Sequence, residues 1–243
     1  MRQQFSWLSK LTLAALFASF LVCLVGIGPL SAREPIFLTA RQFDLQSVLP
    51  PPPADVSAQE AEELAELHRI EASRTPEQEE RAKLDDAEET VFVFRTVLGK
   101  DFSPDRLPTV AAFFDRVKND ASVFAKTGKV AWHRRRPAAV DPTLHPIGRG
   151  TSDSYPSGHA TLGWLDGIVL AALIPEKREE ILSRAADYAR NRLICGVHFR
   201  SDIEAAQVAG TLASQLLMQN AQFQREFKAA QLELSQAHLT AVP

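Results

Sequence analysis

Apolar residues along most of this chain recur at the three- and four-residue spacing of amphipathic helices, and the alternation typical of strands is scarce. Ser57 with Glu60 forms a capping-box pattern that predicts a helix to about Ala72. Thr75 and Pro76 open the next helix, which we expect to continue through the Val- and Phe-rich stretch 89–99. A further helix is predicted over 107–126, and its apolar face comprises Val110, Phe113, Phe114, Val117 and Phe124.

The second half of the chain predicts more helices around one long loop. Residues 138–156 are rich in proline, glycine, serine and aspartate, which predicts the loop. An apolar helix then begins at Ser157 and ends at Pro175, and further helices cover 176–194 and 201–219. Alanine, leucine, glutamate, glutamine and arginine dominate the composition, which also favours helix. The prediction is an all-α, single-domain bundle of about seven helices.

The first 32 residues have the pattern of a targeting segment. Arg2 and Lys10 precede or border an uncharged apolar run, residues 11–30, and Ala32 offers a cleavage point for a signal peptidase. The run is also long enough to span a bilayer, so an uncleaved anchor is the alternative. We expect an exported protein, either periplasmic or secreted.

A proline-rich arm separates this segment from the helical body. Residues 33–56 show no helical period, and the prolines at 50–53 exclude a helix at those positions. We expect an extended arm that lies on the body or on a partner subunit, in a homo-oligomer. The main helical domain is then placed at 57–230, and a C-terminal tail at 231–243.

Charge and cysteine content narrow the class of protein. The 243-residue chain has a formal net charge of −3, which argues against nucleic acid as a partner. Removing residues 1–32 takes away Arg2 and Lys10 and no acid, so the net charge becomes −5. No later apolar run approaches membrane-spanning length, so the mature body is not expected in the membrane. Cys195 then remains without a disulfide partner in the chain, and its apolar surroundings predict a small core residue.

Three stretches carry more chemistry than their surroundings. The first, KVAWHRRRP at 129–137, concentrates positive charge in an acidic protein, although alone it is typical of a solvated cluster. The second, SYPSGHA at 154–160, opens a helix whose first N–H groups and dipole favour an anion. The third, NRLICGVHFRSD at 191–202, sets an arginine, a histidine and an aspartate among apolar residues. Taken alone, this stretch is typical of a core segment in which Arg192 and Asp202 form an ion pair.

Together the three stretches indicate a phosphate site. They supply three cations, a helix N-terminus and two histidines, one of which has a carboxylate nearby in the sequence. Arginine binds phosphate through two parallel hydrogen bonds, and lysine adds a point charge. A histidine oriented by a carboxylate is an activated nucleophile, and a second histidine can donate a proton.

The motif pattern as a whole resembles one known superfamily. Lys-x6-Arg-Pro, then Pro-Ser-Gly-His, then Arg-x5-His-x3-Asp, across residues 129–202, is similar to the type 2 phosphatidic acid phosphatase (PAP2) superfamily. That superfamily includes bacterial class A non-specific acid phosphatases and vanadium haloperoxidases. The leader, the proline-rich arm and the ICGVH wording look most like the class A acid phosphatases. Asn191, where the superfamily often has serine, and Ala160, where this group often has threonine, depart from the pattern and bear on fine specificity.

The resemblance implies a PAP2/haloperoxidase-like helical fold and a role for each motif residue. His198 would attack phosphorus and form a phosphohistidine, Asp202 would orient its ring, and His159 would protonate the leaving oxygen. Phosphate monoesters would be hydrolysed without a metal or another cofactor, because side-chain cations take the electrostatic role of a metal. The residues implied to hold the phosphate oxygens are Lys129, Arg136, Ser157, Gly158 and Arg192.

Other functions stay open on the sequence. A lipid or isoprenoid-diphosphate phosphatase of the same superfamily usually has several membrane spans, and haloperoxidases tend to have much longer chains. A non-catalytic phosphate-binding protein would not need both histidines and the aspartate. A metal site is disfavoured by the neighbouring cations; its ligands would come from His133, His145, His159 and His198.

Flanking residues are expected in supporting positions. Trp132 and Trp164 are predicted to pack in the core, and Tyr155 to line a leaving-group pocket. The first stretch also contains His133, Arg134 and Arg135. These residues would extend the anion site, face solvent or support the site from behind, and we favour the last two positions.

Overall fold

A computed structural model describes residues 34–39, 42 and 44–241, which all lie in one compact unit. The predicted leader, residues 1–32, lies outside these residues. The described part is built from α-helices and 3₁₀ turns and contains no β-strand, so the predicted all-α fold class is confirmed. None of its helices is long and apolar enough to cross a membrane. The α-helices are α1 (Leu45–Val48), α2 (Ala58–Ser73), α3 (Pro76–Ala87), α4 (Arg95–Leu98), α5 (Pro108–Trp132), α6 (Pro137–Val140), α7 (Gly158–Leu173), α8 (Arg178–Ile194), α9 (Arg200–Leu217) and α10 (Ala221–Gln236).

Several boundaries differ from the predicted ones. The helix that follows Thr75 ends at Ala87, and a 3₁₀ turn, Val91–Phe94, takes the place of its predicted continuation. All four side chains of this turn are buried. α5 continues past its predicted end to Trp132. α10 runs to Gln236, so a packed helix extends into the predicted C-terminal tail; it buries Ala230 and Leu234.

α7 is the central helix and packs against α5, α8 and α9. Small residues allow its close approach to both following helices. A Cβ added at Gly163 would lie 2.5 Å from the ring of Tyr188 on α8, and one added at Gly210 of α9 would lie 2.8 Å from the carbonyl oxygen of Thr161. The beginning of α7 is therefore held against α8 and α9, which brings the second and third sequence motifs together.

The described start of the arm lies on the body, one of its two predicted placements. The fully buried Asp120 carboxylate of α5 accepts three backbone hydrogen bonds from it. The donors are the N–H groups of Ile36 (2.5 Å), Phe37 (2.9 Å) and Leu38 (3.2 Å). Further along, the predicted extended arm contains one short helix, α1.

Candidate active site

Most of the residues predicted to bind and transfer phosphate line one open cavity of about 930 Å³. Asp202 and Ser157 are fully buried and act through neighbours: Asp202 contacts His198, and Ser157 caps α7. The lining residues from the predicted set are Lys129, Arg136, Gly158, His159, Arg192 and His198.

His198 is buried with one ring nitrogen on a carboxylate and the other on an arginine. Nδ1 lies 3.1 Å from Asp202 Oδ2, and Nε2 lies 2.8 Å from Arg136 Nη1. Because guanidinium only donates, Nε2 must accept and the ring proton must sit on Nδ1, where it is donated to Asp202. Burial, followed by repulsion from Arg136 and Arg192, holds the pKa of His198 well below its usual value. The ring is thus neutral, with its Nε2 lone pair pointing toward Arg136.

Arg136 and Lys129 form the basic side of the cavity. Arg136, at the N-cap of α6, also donates to the carbonyl oxygens of Val197 (2.6 Å) and Ser152 (2.7 Å). Lys129 lies in the last turn of α5 and donates to the carbonyl oxygen of Asp153. Burial and then mutual repulsion lower the pKa of Lys129 to about 8, whereas that of Arg136, lowered chiefly by burial, is about 10. The hydrogen bonds to backbone carbonyl oxygens hold both side chains beside His198.

The N-terminus of α7 supplies another part of the cavity wall. Ser157 Oγ accepts from the N–H of Ala160, which confirms Ser157 as the N-cap but directs its hydroxyl into the helix. Gly158 and His159 line the cavity, and first-turn N–H groups have no partner within their own helix. Backbone N–H groups, together with the positive end of the helix dipole, make this wall suited to an anion.

Arg192, in the last turn of α8, is paired with an acid that the motifs do not contain. Its Nη1 donates to Asp86 Oδ1 at 2.5 Å, and its Nη2 donates to the carbonyl oxygen of Arg149 at 3.2 Å. Its buried Nε has no hydrogen-bond partner among the described residues. Burial acts to raise the pKa of Asp86, but the hydrogen bond and charge of Arg192 outweigh it and leave that pKa lowered. A carboxylate is therefore held against one of the arginines predicted to bind phosphate.

His159 also has a carboxylate partner. Its Nε2 lies 3.1 Å from Glu89 Oε1, and the other Glu89 oxygen lies 3.3 Å from Lys118 Nζ. Burial above all, and then the charge of Arg192, lower the pKa of His159 to about 4, although Glu89 acts to raise it. Both histidines that line the cavity are therefore paired with a carboxylate, His198 with Asp202 and His159 with Glu89.

Arg134 lies behind the cavity, under Asp202. It is almost fully buried and donates to Asp202 Oδ1 (2.6 Å), Glu63 Oε2 (2.7 Å) and Ser201 Oγ (2.7 Å). Its guanidinium also lies 4.0 Å from the centre of the Phe199 ring. Of the two positions favoured for Arg134, the supporting one is correct. Its neighbours His133 and Arg135 instead reach solvent, where they pair with Asp153 and Asp55.

The prediction for Tyr155 is wrong. Tyr155 is buried, its hydroxyl donates to the carbonyl oxygen of Pro50 at 2.8 Å, and its ring packs edge-on against Trp132. It does not line the cavity among the described residues, because its hydroxyl is taken by the proline-rich arm. Trp132 and Trp164 are partly buried and pack against the core, as predicted.

Two further residues of the third stretch are buried at the C-terminal end of α8. Cys195 is fully buried, and burial raises the pKa of its thiol to about 11, which agrees with a core role. Asn191, one of the departures from the superfamily pattern, donates to Asp85 Oδ2 at 2.7 Å. Asp85 also pairs with Arg184, so the asparagine helps to satisfy a buried carboxylate behind the cavity.

The acidic residues of the site were not found from the sequence. Asp86 and Glu89 come from the end of α3 and the turn after it, in the run DDAEE at 85–89. Such a run is ordinarily a solvated helix end, so nothing local distinguishes it.

The remaining histidines lie elsewhere: His145 pairs with Glu71 on the surface, and no group of three potential metal ligands occurs in the described part of the chain.

The arrangement is suited to holding a tetrahedral anion between cations and a helix N-terminus, with a neutral histidine beneath it. Comparison with known proteins agrees. Residues 118–226, which include all three motifs, match the model of the PAP2 superfamily. The chain therefore carries a PAP2 superfamily domain, and the resemblance drawn from the motifs is confirmed at this level.

Curated relatives and a solved structure are similar to the chain to different extents. An acid phosphatase from Zymomonas mobilis is 33% identical over 150 residues, which cover 59% of this chain but only 56% of that protein. A non-specific acid phosphatase from Providencia stuartii is 28% identical, covering 81% of this chain and 83% of that protein. A non-specific acid phosphatase from Salmonella typhimurium is 26% identical, covering 83% of this chain and 84% of that protein. A transmembrane PAP2 type phosphatidylglycerolphosphate phosphatase from Bacillus subtilis aligns over 66% of this chain and 85% of that chain, at 18% identity and a TM-score of 0.49.

Proposed function

We propose that this protein is an acid phosphatase that hydrolyses phosphate monoesters through a phosphohistidine on His198. The observation that carries the proposal is the state of the His198 ring. Nδ1–H is donated to Asp202, and the Nε2 lone pair points to Arg136, a residue of the cavity wall. A non-catalytic phosphate site has no use for a buried, neutral histidine oriented in this way. The names of the curated relatives support the same activity.

In the first step, a substrate phosphate displaces Arg136 from His198 Nε2 and accepts the hydrogen bond that Arg136 donated to that nitrogen. The negative charge of the bound phosphate raises the pKa of His159, so its ring is protonated in the complex. The Nε2 lone pair of His198 attacks phosphorus, the bond from phosphorus to the ester oxygen breaks, and His159 gives its proton to that oxygen. The positive charge that develops on the His198 ring is stabilised by Asp202. The products of this step are the free alcohol and an Nε2-phosphohistidine.

In the second step, water attacks phosphorus while His159 takes its proton. The N–P bond breaks, inorganic phosphate leaves, and both histidines return to their starting states. Lys129, Arg136 and Arg192, with the Gly158 N–H, hold the non-bridging oxygens where charge is stabilised in both transition states. These cations take the place of a metal ion in the proposal, and their charge would repel one.

We further propose that the protein is exported. The proposal rests on residues 1–32, whose basic start and uncharged apolar run are typical of a signal peptide or an anchor. N-terminal sequencing of the protein recovered from the cell envelope and from the medium tests it. A mature chain that begins at Arg33 supports cleavage after Ala32.

Trapping of the intermediate tests the mechanism. Wild type mixed with ³²P-labelled phenyl phosphate and quenched in alkaline detergent should carry phosphate that is stable to base and lost in acid, and His198→Ala should carry none. His159→Ala should lose most activity on alkyl phosphates but less on 4-nitrophenyl phosphate, whose leaving group needs no proton. His145→Ala, a change of the same kind outside the cavity, should behave as wild type. Label on His198→Ala would contradict the assignment of the nucleophile.

Inhibitors and alternative substrates test the remaining points. Vanadate should inhibit, because its five-coordinate form mimics the transferring phosphoryl group. Activity should survive dialysis against EDTA; loss that a divalent ion restores would contradict the metal-free route. Phosphatidic acid offered in detergent tests the lipid phosphatase alternative, which predicts faster turnover than with water-soluble monoesters.

A further inference from the structure

The active-site cavity continues along α5 beyond the residues assigned to phosphate. Lys118, Ser122 and Lys126 line this part, and we call them the α5 row. Each is four residues from the next, so the three lie on one face of the helix. Lys129 follows on the same face, which joins the α5 row to the phosphate site.

Glu89 shows on which side of the phosphate site the α5 row lies. One oxygen of its carboxylate contacts His159 Nε2, and the other contacts Lys118 Nζ. A single carboxylate thus separates the proposed proton donor from the first lysine of the row. Because His159 meets the leaving oxygen, the α5 row lies where the rest of the leaving group must go.

The charge in this part of the cavity is not balanced. Each carboxylate that lines the cavity is engaged with a cation, whereas Lys126 is exposed and has no ion pair or hydrogen bond with any described residue. The engaged pairs are Asp86 with Arg192, Glu88 with Arg95, and Glu89 with Lys118. In a chain whose net charge is negative, an unpaired lysine beside the leaving group favours an anionic partner.

We propose that the α5 row binds a second anionic group on the substrate, so that the preferred substrates are small phosphate monoesters whose alcohol carries another phosphate or a carboxylate. The inference rests on the proposed phosphatase function and names the substrate class of the same site. Lys126 lies about 4.5 Å from Lys129 along the helix axis, a spacing suited to two anions joined by a short carbon chain. Ser122 lies between Lys118 and Lys126, and its hydroxyl donates to the carbonyl oxygen of Lys118 at 2.8 Å.

Binding measurements test the subsite without turnover. Propane-1,3-diphosphonate should bind about fivefold more tightly than propylphosphonate by calorimetry at low ionic strength, and added salt should reduce this ratio. Lys126→Gln should remove most of the preference, and Lys126→Arg should keep it. Lys228→Gln, which removes an exposed lysine of α10, should leave the ratio as in wild type. Equal affinities, or a preference that survives Lys126→Gln, would overturn the subsite.

Turnover measurements then show whether a phosphate or a carboxylate is preferred as the second anionic group. They also test the subsite separately from the proposed phosphatase function. The substrates are propane-1,3-diol monophosphate, the corresponding bisphosphate and 3-(phosphonooxy)propanoate. The bisphosphate, corrected for its two equivalent phosphates, should exceed the monophosphate about fivefold in kcat/KM. The carboxylate should exceed it less, because it carries one charge. Hydrolysis of all three at equal kcat/KM contradicts the subsite alone. No hydrolysis of any, with the phosphonate preference intact, contradicts the phosphatase and supports the subsite.

Discussion

Arg134 and Asp202 form a buried ion pair, with Arg134 Nη1 2.6 Å from Asp202 Oδ1. The opposite oxygen of Asp202 accepts from His198 and from Ser154 Oγ, the latter at 2.5 Å. The proposed nucleophile is thus oriented by a carboxylate that is itself held by an arginine. Glu63, on the far side of Arg134, completes a chain of alternating charge from α2 to the cavity.

Replacement of Arg134 should destabilise the fold strongly. In Arg134→Met, Asp202 and Glu63 would be left as buried carboxylates without their cation. We expect a loss of about 3–5 kcal/mol in the free energy of unfolding, measured by urea denaturation. Arg135→Met is the matched control: its side chain is half exposed and pairs with an exposed Asp55, so it should cost less than about 1 kcal/mol. Equal losses in the two variants would contradict the buried role of Arg134.

Asp86→Asn should strengthen the binding of phosphate. Asp86 competes with a bound anion for Arg192 and repels it, whereas asparagine keeps a hydrogen-bond acceptor without the charge. We expect inorganic phosphate to inhibit about tenfold more tightly, equivalent to about 1.4 kcal/mol. Glu80→Gln removes an exposed charge from the same helix and should have little effect. Weaker inhibition in Asp86→Asn would mean that the carboxylate is needed to position Arg192.

Glu89→Gln should move the alkaline limb of the kcat profile to lower pH. His159 must stay protonated in the enzyme–substrate complex, and the negative Glu89 raises its pKa against burial and the charge of Arg192. Without that charge the pKa falls, so the proton is lost at lower pH. The other groups near His159 are the Asp86 carboxylate, which also raises its pKa, and the Tyr188 ring stacked on it.

The size of the shift in the alkaline limb distinguishes the effect of Glu89 from that of the neighbouring Glu88. We expect about half to one pH unit with an alkyl phosphate and less with 4-nitrophenyl phosphate, which needs less help from the proton. Glu88→Gln, whose carboxylate pairs with Arg95, should shift the limb less. An unchanged limb in Glu89→Gln would show that the contact with His159 has no influence on proton donation.

Asp120→Asn should loosen the arm and lower stability. The Asp120 carboxylate accepts three backbone N–H groups of the arm, and an amide has one oxygen to offer. We expect a loss of about 1.5–3 kcal/mol in the free energy of unfolding, together with faster proteolysis before Leu38. Asp105→Asn, in an exposed turn, is the control. Unchanged stability in Asp120→Asn would contradict a structural role for the arm.

The sequence by itself determined the features that depend on neighbours along the chain. Ser57, Thr75 and Ser157 cap helices as predicted, because a cap needs only a side-chain oxygen and an N–H group two or three residues later. His198 and Asp202 were paired correctly for a similar reason, since four residues bridge the start of a helix. The motif residues predicted to bind and transfer phosphate were likewise chosen from their local spacing, and most of them line one cavity.

Only the tertiary structure decided how charges far apart in the chain are paired. Arg134 and Arg135 are adjacent and chemically identical, yet one is buried against Asp202, 68 residues away, and the other is exposed. Asp86 meets Arg192 across 106 residues, in a run of acids that resembles an ordinary solvated helix end. Helix periodicity specifies which face of a segment is apolar, but the partner of a buried charge depends on how the helices pack, because an ion pair needs the two side chains within about 4 Å.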